Sequence, residues 1–181
     1  MPISSPSSRM REAEAVAKAR QGEPDGIAEI YENHAKALYR LIYRLTASSA
    51  DSEDTLHDLF VALPELFRRY EDRGKLGAWL TQVATRMTLM RLRAQHRRRE
   101  VPIDAIRNDS AIAVPAVEND AFLIERAVLA LPEPQREVFV LRQLEGYSYD
   151  EISELLEISA GAARVRYLRA LRRIRQQLEN S

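Results

Sequence analysis

The sequence predicts an all-α protein that consists of two small helical domains. The chain contains only six glycines, and strong helix formers such as Ala, Leu, Arg and Glu are abundant. Apolar residues recur at helical spacing along much of the chain, and no alternating run of useful length predicts a strand. The clearest helical period runs through Ile27, Ile30, Tyr31, Leu38, Ile42 and Leu45.

The first domain is predicted to span residues 10–99, after a Ser/Pro-rich segment (1–9) that is expected to be disordered. It opens with a short helix to about residue 21, which ends at the turn-forming GEPDG, and a second helix follows to about Thr46. The segment SSADSEDTLHDLFVALPELF begins a third helix, whose acidic first turn suits the helix dipole. Pro64 is expected to kink or end this helix. The loop YEDRGKLG leads to a long helix over about 76–98.

The second domain is predicted to span residues 120–181. Residues 100–119, which contain two prolines and lack periodicity, are expected to form a flexible linker. A helix over about 120–130, the break LPEP and a helix ended by Gly146 come next. Ser148 and Glu151 have the spacing of a capping box at the start of a helix over 149–156. Ser159 is expected to cap the last helix.

Positive charge is concentrated in two acid-free segments of a chain that balances 27 basic against 27 acidic residues. One is Arg91–Arg99, and the other is SAGAARVRYLRALRRIR, in which six arginines fall on one side of the last helix. A solvated face usually interleaves Glu with Arg, so this arc favours contact with nucleic acid over a plain solvated face. The opposite side is apolar and predicted to pack through Ala163, Tyr167, Ala170, Leu171, Ile174 and Leu178.

Two helices joined by a tight turn, the second basic on its outer face, predict a helix-turn-helix. The N-terminal part of the second helix would enter the major groove of DNA. Arginine can fork onto a guanine edge, and a small apolar side chain can touch a thymine methyl group. The candidate base-reading residues are Ala162, Arg164, Val165, Arg166 and Arg169. The candidates for contact with the DNA backbone are Arg172, Arg173 and Arg175.

These segments resemble those of a known family. LPEPQREVFVLRQLEGYSYDEISELLEISAGAARVRYLRALRRIR resembles the region of bacterial RNA polymerase sigma factors that reads the promoter −35 element. DSEDTLHDLFVALPELFRRYEDRGKLGAWLTQVATRMTLMRLR resembles the region that reads and melts the −10 element. Their order and linker are those of the extracytoplasmic-function (ECF) class of the sigma-70 family, over about residues 25–98 and 120–178. The resemblance implies a cytoplasmic initiation factor that directs core RNA polymerase to specific promoters.

The resemblance also implies which residues meet each partner. Those implied in −10 recognition are Arg73, Lys75, Trp79, Arg86, Met90, Arg91 and Arg93. Those implied in binding the β′ clamp helices of core polymerase are Asp54, His57, Asp58 and Phe60. The helix around Val138–Leu144 is implied to pack on the β flap, and the class implies an anti-sigma factor as a further partner. By its spacing alone, Trp79 is more typical of a core residue.

Several positions depart from the family pattern. Asn and Asp are frequent where Arg86 and Met90 stand, which leaves the −10 sequence open. A glycine is usual at Glu157, where a left-handed conformation would cost roughly 1 kcal/mol. Thr and Val are common where Ala162 and Ala163 follow Gly161, and glutamine is frequent at the position of His57.

Other classes of function find little support in the residues. The chain has no cysteine, its three histidines are isolated, and it contains no nucleophile or phosphate-binding motif. We therefore expect no enzymatic activity, cofactor, metal or small-molecule substrate, and no apolar run is long enough to insert into a membrane. Two alternatives stay open: a conventional helix-turn-helix regulator, and a sigma-like adaptor that lacks promoter-melting activity.

Overall fold

The structure, a computed structural model, describes residues 6–71, 74–99 and 120–179. These residues form helices and one π-helical turn and contain no strand, which confirms the predicted all-α class. The helices are α1 (Pro6–Arg20), α2 (Pro24–Thr46), α3 (Ser49–Phe67), α4 (Leu76–Arg99), α5 (Asp120–Leu129), α6 (Glu133–Phe139), α7 (Tyr149–Leu156) and α8 (Ala160–Glu179). The π-helical turn, Val140–Leu144, directly continues α6. The predicted linker, 100–119, lies outside the described residues.

The chain divides into two compact units, of which the first contains the described residues 6–42, 50–71 and 74–91. Its core is built from α1, α2, α3 and α4, through fully buried side chains such as Ala19, Ile42 and Leu80. Helix α1 begins at Pro6, four residues before the expected start, since proline is well suited to a first helical turn. Gly26 lets α2 approach α1 closely, because a Cβ atom there would lie 2.5 Å from the carbonyl oxygen of Ala15.

One of the two predicted outcomes, that α3 ends at Pro64, is wrong. The helix continues to Phe67. Leu63 and Phe67 are fully buried on either side of the proline. A proline removes one backbone donor, and so close to the end of a helix this loss is offset by the burial of two large apolar side chains. Tertiary packing therefore extends the helix beyond the proline.

The second unit contains the described residues 43–49, 92–99 and 120–179, and in its C-terminal part α8 packs against α5, α6 and α7. The guanidinium of Arg136, which is only 6% exposed, donates to the carbonyl oxygen of Leu131 at 3.0 Å. It also donates to the carbonyl oxygens of Leu45 and Thr46 at 3.3 Å, so backbone acceptors compensate for the burial of this charge. Gly146, with φ of 78°, ends the π-helical turn as predicted.

Candidate nucleic-acid interface

Both helices of the predicted helix-turn-helix are capped as the sequence indicates. The Ser148 hydroxyl accepts from the Glu151 amide at 3.2 Å, and the Glu151 carboxylate accepts from the Ser148 amide at 2.7 Å. The Ser159 hydroxyl accepts from the Ala162 amide at 3.1 Å at the start of α8. The capping box and the Ser159 cap are thereby confirmed. Glu157, in the turn between the helices, is left-handed, with φ of 55° and ψ of 42°.

The basic face of α8 is open to solvent. The side chains of Arg164, Val165 and Arg169 are exposed, and those of Ala162 and Arg166 are half-buried. All three of the predicted backbone-contacting arginines, Arg172, Arg173 and Arg175, are exposed as well. The N-terminal half of α8 therefore presents both arginine and small apolar groups to solvent, which is the mixture that base edges in a major groove can recognise.

The packed face of α8 is narrower than the sequence predicts. Ala163, Ala170 and Ile174 are buried, as expected. Leu171 and Leu178 are 40% and 39% exposed, so their predicted packing is wrong. The reason is that α5, α6 and α7 cover only the arc of Ala163, Tyr167, Ala170 and Ile174, where the Tyr167 ring stacks on Phe139. The two leucines lie at the border of the arginine face.

Arg166 lies near an acidic group of α6. Burial, followed by the neighbouring charge of Glu133, raises the pKa of Glu137 to about 7. The positive charges of Arg136, Arg166 and His96 oppose this rise. His96 in turn contacts the Glu133 carboxylate through Nε2. The positive charge of Arg166 therefore interacts with the buried carboxyl of Glu137 in the second unit.

One face of α4 carries several of the residues implied in −10 recognition. Residues spaced by three or four positions along this helix share a face. Ala78, Gln82, Arg86 and Met90 follow one another at intervals of four, and all four are exposed; Met90 is 63% exposed. Arg93 continues the same row and pairs with Glu157. This row is named the α4 stripe.

A cavity of about 390 Å³ opens at the N-terminal end of the α4 stripe. Its lining combines aromatic rings, two cations, an acid and an amide, contributed by Arg69, Tyr70, Glu71, Lys75, Ala78, Trp79 and Gln82. The predicted residues Lys75 and Trp79 thus come together there, whereas Arg73 lies outside the described residues. Aromatic walls with hydrogen-bonding groups at the rim are what an unstacked nucleobase requires.

Trp79 serves the core and the cavity at once. Its ring packs against Phe67, with centroids 5.3 Å apart, and against Tyr70, with centroids 4.5 Å apart. The carbonyl oxygens of Phe67 and Tyr70 both accept hydrogen bonds from the Arg20 guanidinium, the one at Phe67 over 2.9 Å. Helix α1 therefore fixes the end of α3 that carries one wall of the cavity.

Arg91, which the resemblance assigns to DNA, contacts three acids of α3 instead of standing free. Its guanidinium lies 3.4 Å from Asp51, 2.6 Å from Asp54 and 3.3 Å from Asp58. The Asp54 and Asp58 side chains nevertheless stay 65% and 59% exposed, so both can face a partner. The positive charge of Arg91 among these three carboxylates makes the electrostatic potential of this surface less negative.

The remaining polymerase-binding candidates differ in their accessibility. His57 is exposed beside Asp54 and Asp58, on the same side of α3. Phe60 is only 8% exposed, and its ring packs edge-on against Tyr31 at 4.8 Å. The structure therefore brings Asp54, His57 and Asp58 together on one surface and places Phe60 in the packing beneath it.

Sequence reasoning missed several residues of these surfaces. Tyr149, at the start of α7, contacts the guanidinium of Arg164, and it lies inside a segment whose resemblance was already noted. Arg69, Glu71 and Gln82 join the cavity only when the turn before α4 brings them together. Gln82 could have been found from its four-residue spacing to Arg86, whereas no sequence signal marks Glu71.

Two other kinds of site were searched for among the described residues. No three histidine, aspartate or glutamate side chains in them converge as metal ligands. None of the helices they form is long and apolar enough to cross a membrane.

The chain matches two sequence families in the order expected. Sigma-70 region 2 matches residues 30–98, and Sigma-70, region 4, matches residues 121–174. Region 4 is a helix-turn-helix DNA-binding domain, and its match contains α7 and most of α8. The α3 surface and the α4 stripe therefore lie within the region 2 match, and most of the α8 face lies within the region 4 match.

Similar proteins and structures agree with these matches. RNA polymerase sigma factor CarQ of Myxococcus xanthus is 31% identical over 165 residues, which cover 88% of this chain and 92% of that protein. ECF RNA polymerase sigma factor SigW of Bacillus subtilis is 23% identical, and the match covers 91% of this chain and 95% of that protein.

The fold is shared with the sigma factor RpoE of Bartonella quintana, solved with the anti-sigma factor NepR. The TM-score is 0.54 at 21% identity, over 84% of this chain and 96% of that one. It is also shared with CnrH, solved with the cytosolic domain of CnrY, at a TM-score of 0.53 and 21% identity, over 94% of this chain and 99% of that one. The chain belongs to the ECF class of the sigma-70 family of RNA polymerase sigma factors.

Proposed function

We propose that this sigma factor is a promoter-specific initiation factor in which α8 reads the −35 element. The observation that carries the proposal is the exposed arginine face of α8, which carries no acid between Ala160 and Arg175 and begins at the turn capped by Ser159. Arg164 and Arg169 read base edges, and Val165 and Ala162 offer apolar contacts to thymine methyl groups. Arg172, Arg173 and Arg175 follow the DNA backbone beyond the read bases.

The α4 stripe and its cavity receive the −10 element. The cavity beside Trp79 and Tyr70 takes up an unstacked base of the melted strand, with Lys75 available for the neighbouring phosphate. Glu71 can accept from the amino group of a base, and Gln82 can both donate and accept. Arg86 and Met90 continue along the same face. The thioether of Met90 replaces a polar group there, which favours an apolar contact over a hydrogen bond.

Core polymerase docks on the surface that α3 presents, with Asp54, His57 and Asp58 facing the β′ clamp helices. Phe60 supports this surface from within. In the segment proposed to meet the β flap, Val138, Val140 and Leu141 are fully buried, whereas Leu144 is 42% exposed. Leu144 is therefore the apolar side chain of this segment that the flap can reach.

The protein works in the cytoplasm, where core polymerase and promoter DNA are found, and it carries out no catalysis of its own. An anti-sigma factor holds it inactive. Support for this partner comes from the two neighbouring folds, RpoE and CnrH, which were each solved with another protein bound. RpoE and CnrH share the fold of this chain at only 21% identity, so the likeness does not indicate the sequence of its own anti-sigma factor.

In vitro transcription with bacterial core polymerase and a library of genomic promoter fragments tests the proposal. We expect core binding, defined start sites and a shared −35 and −10 sequence among the selected promoters. Core binding without strand opening at −10, seen as a lack of permanganate reactivity of thymines, and without transcripts would instead support the adaptor. No core binding and no start-site selection would refute the initiation factor.

A further inference from the structure

Tyr149 contacts the arginine that is proposed to read the −35 element. The guanidinium carbon of Arg164 lies 5.1 Å from the centroid of the Tyr149 ring, within the range of a cation–π contact. We propose that Tyr149 is a positioning residue for base readout, because its ring orients the Arg164 side chain before DNA arrives. This inference rests on the proposed role of α8 in −35 recognition.

The ring is held in place by groups other than Arg164. Tyr149 is the first residue of α7 and lies between the two residues of the capping box, Ser148 and Glu151. It packs edge-on against the Tyr167 ring at 6.2 Å, and the Tyr167 hydroxyl donates to the Gln143 side chain at 2.6 Å. The ring therefore provides a fixed surface for Arg164.

A second arginine contacts the same ring from the π-helical turn. The guanidinium carbon of Arg142 lies 4.9 Å from the Tyr149 centroid, and its Nη1 donates to the Tyr147 carbonyl oxygen at 2.9 Å. Arg142 thus ties the ring to the segment that precedes α7. Arg164 therefore contacts a ring that Arg142 and Tyr167 already hold in place.

The kind of contact matters for readout. A carboxylate partner would occupy the N–H groups of Arg164, whereas an aromatic ring engages the guanidinium through its π system and leaves the N–H donors free for a base. A long exposed side chain that is already oriented loses less conformational freedom on binding. In the described part of the chain no such ring contact is found for Arg169, so the two readers differ in this respect.

Promoter competition assays with the full chain and core polymerase test the inference. Promoter fragments carry each single base change in the −35 element selected by the wild type. The variants are Tyr149→Leu, which removes the ring, Tyr149→Phe, which keeps it, Arg164→Ala, and the double variant Tyr149→Leu/Arg164→Ala. Arg169→Ala identifies the base pair that Arg169 reads.

We expect Tyr149→Leu to reduce the base preference roughly three- to tenfold at the base pair where Arg164→Ala acts. Tyr149→Phe should stay within about twofold of the wild type, and the double variant should lose no more than Arg164→Ala alone. Upfield ring-current shifts of the Arg164 Nε–Hε signal in nuclear magnetic resonance spectra, present in the wild type and in Tyr149→Phe but lost in Tyr149→Leu, would confirm the contact directly.

Three results would overturn the inference while leaving the proposed function intact. Tyr149→Leu could keep the preference that Arg164→Ala loses, it could weaken readout equally at the Arg169 base pair, or Tyr149→Phe could act like Tyr149→Leu. A wild type without any −35 preference, or an Arg164→Ala variant that changes none, would refute the proposed role of α8 and this inference with it.

Discussion

The Nε atom of Arg20 donates a hydrogen bond of 2.9 Å to the carbonyl oxygen of Phe67, which lies 47 residues further along the chain. A second bond from the same guanidinium reaches the carbonyl oxygen of Tyr70. The first helix of the protein thereby binds the C-terminal end of α3, where backbone carbonyls have no partner within the helix. Because Tyr70 and Trp79 line the cavity proposed for a −10 base, α1 supports a wall of that cavity without lining it.

We expect Arg20→Met to destabilise the first unit by about 1–2 kcal/mol, because it removes charge-assisted hydrogen bonds to two carbonyl groups. The change should also shift the emission of Trp79, the only tryptophan of the chain, since its ring packs on Phe67 and Tyr70. Urea denaturation followed by tryptophan fluorescence measures both effects. Arg11→Met, which removes an exposed arginine from the same helix, is the control. Equal effects of the two changes would show that the hydrogen bonds of Arg20 do not stabilise the first unit.

Glu157 has a backbone conformation that favours glycine, with φ of 55° and ψ of 42°. We expect Glu157→Gly to stabilise the protein by about 0.5–1 kcal/mol, because a left-handed residue with a Cβ atom is strained. Its exposed contact with Arg93 is also lost, but such a pair contributes little. Thermal denaturation followed by circular dichroism measures the change.

Glu157→Gln separates the two effects at this position. It loses the charge that faces Arg93 and keeps the Cβ atom, so its stability should stay within about 0.5 kcal/mol of the wild type. If Glu157→Gly were no more stable than Glu157→Gln, the strain would be absent.

Local signals in the sequence predicted much of the second unit. The capping box needs only Ser148 and Glu151 at a spacing of three, and the arginine face of α8 follows from helical periodicity. Both depend on neighbours within one or two turns, so tertiary packing did not change them. The end of the turn at Gly146 is equally local, because a positive φ at this position favours glycine.

The features that sequence reasoning missed depend on contacts between distant residues. The contact of Arg91 with DNA stays a prediction, but its three acidic partners could not be predicted, because Asp51, Asp54 and Asp58 lie 33 to 40 residues away in the sequence. Of the two outcomes predicted for Pro64, the end of α3 does not occur there, because the burial of Phe67 outweighs one lost backbone bond. Which arc of α8 is covered likewise depends on the helices packed against it.

The raised pKa of Glu137, about 7 against an ordinary 4.5, makes the stability of the second unit depend on pH. The folded protein binds this proton more tightly than the unfolded chain, so stability falls as pH rises from about 4.5 to 7. The loss attributable to this group amounts to about 3 kcal/mol at most. The dependence ends about one pH unit above 7, where the carboxylate is ionised in both states.

Glu137→Gln should remove this dependence and be more stable than the wild type at pH 8, because its side chain carries no charge to bury. Urea denaturation at a series of pH values, followed by far-ultraviolet circular dichroism, gives the difference between the two proteins. Glu154→Gln, on the exposed side of α7, controls for the loss of one carboxylate. A wild-type minus Glu137→Gln difference that does not change between pH 5 and pH 8 would contradict the prediction.

The arginines of α8 should divide into readers and anchors. Arg164→Ala is expected to cost about 1–3 kcal/mol at one base pair and to relax selectivity there, since a forked contact to a base edge is lost. Arg173→Ala should weaken binding evenly across sequences and lower the slope of log affinity against log salt concentration by about 1. Binding of the polymerase complex to promoter variants at several salt concentrations measures both. Equal effects on all sequences would refute this division.

The pairing of Arg91 with Asp54 predicts opposite effects on polymerase binding. If core polymerase presents a basic surface to α3, Asp54→Asn should weaken binding roughly three- to tenfold, because an exposed carboxylate facing that surface is lost. Arg91→Gln should strengthen it roughly two- to fivefold at low salt, because the surface around Asp51, Asp54 and Asp58 becomes more negative. Association rates of the full chain with core polymerase, measured by surface plasmon resonance, report both changes.

Glu53→Gln is the matched control, because it removes an exposed carboxylate of α3 next to Asp54. It should change binding less than Asp54→Asn, since a charge beside the docking surface acts only at long range and is screened by salt. Raising the salt concentration should also shrink the gain of Arg91→Gln. If Arg91→Gln instead weakened core binding and Asp54→Asn had no effect, the acids of α3 would not face polymerase, and Arg91 itself would be the contacting residue.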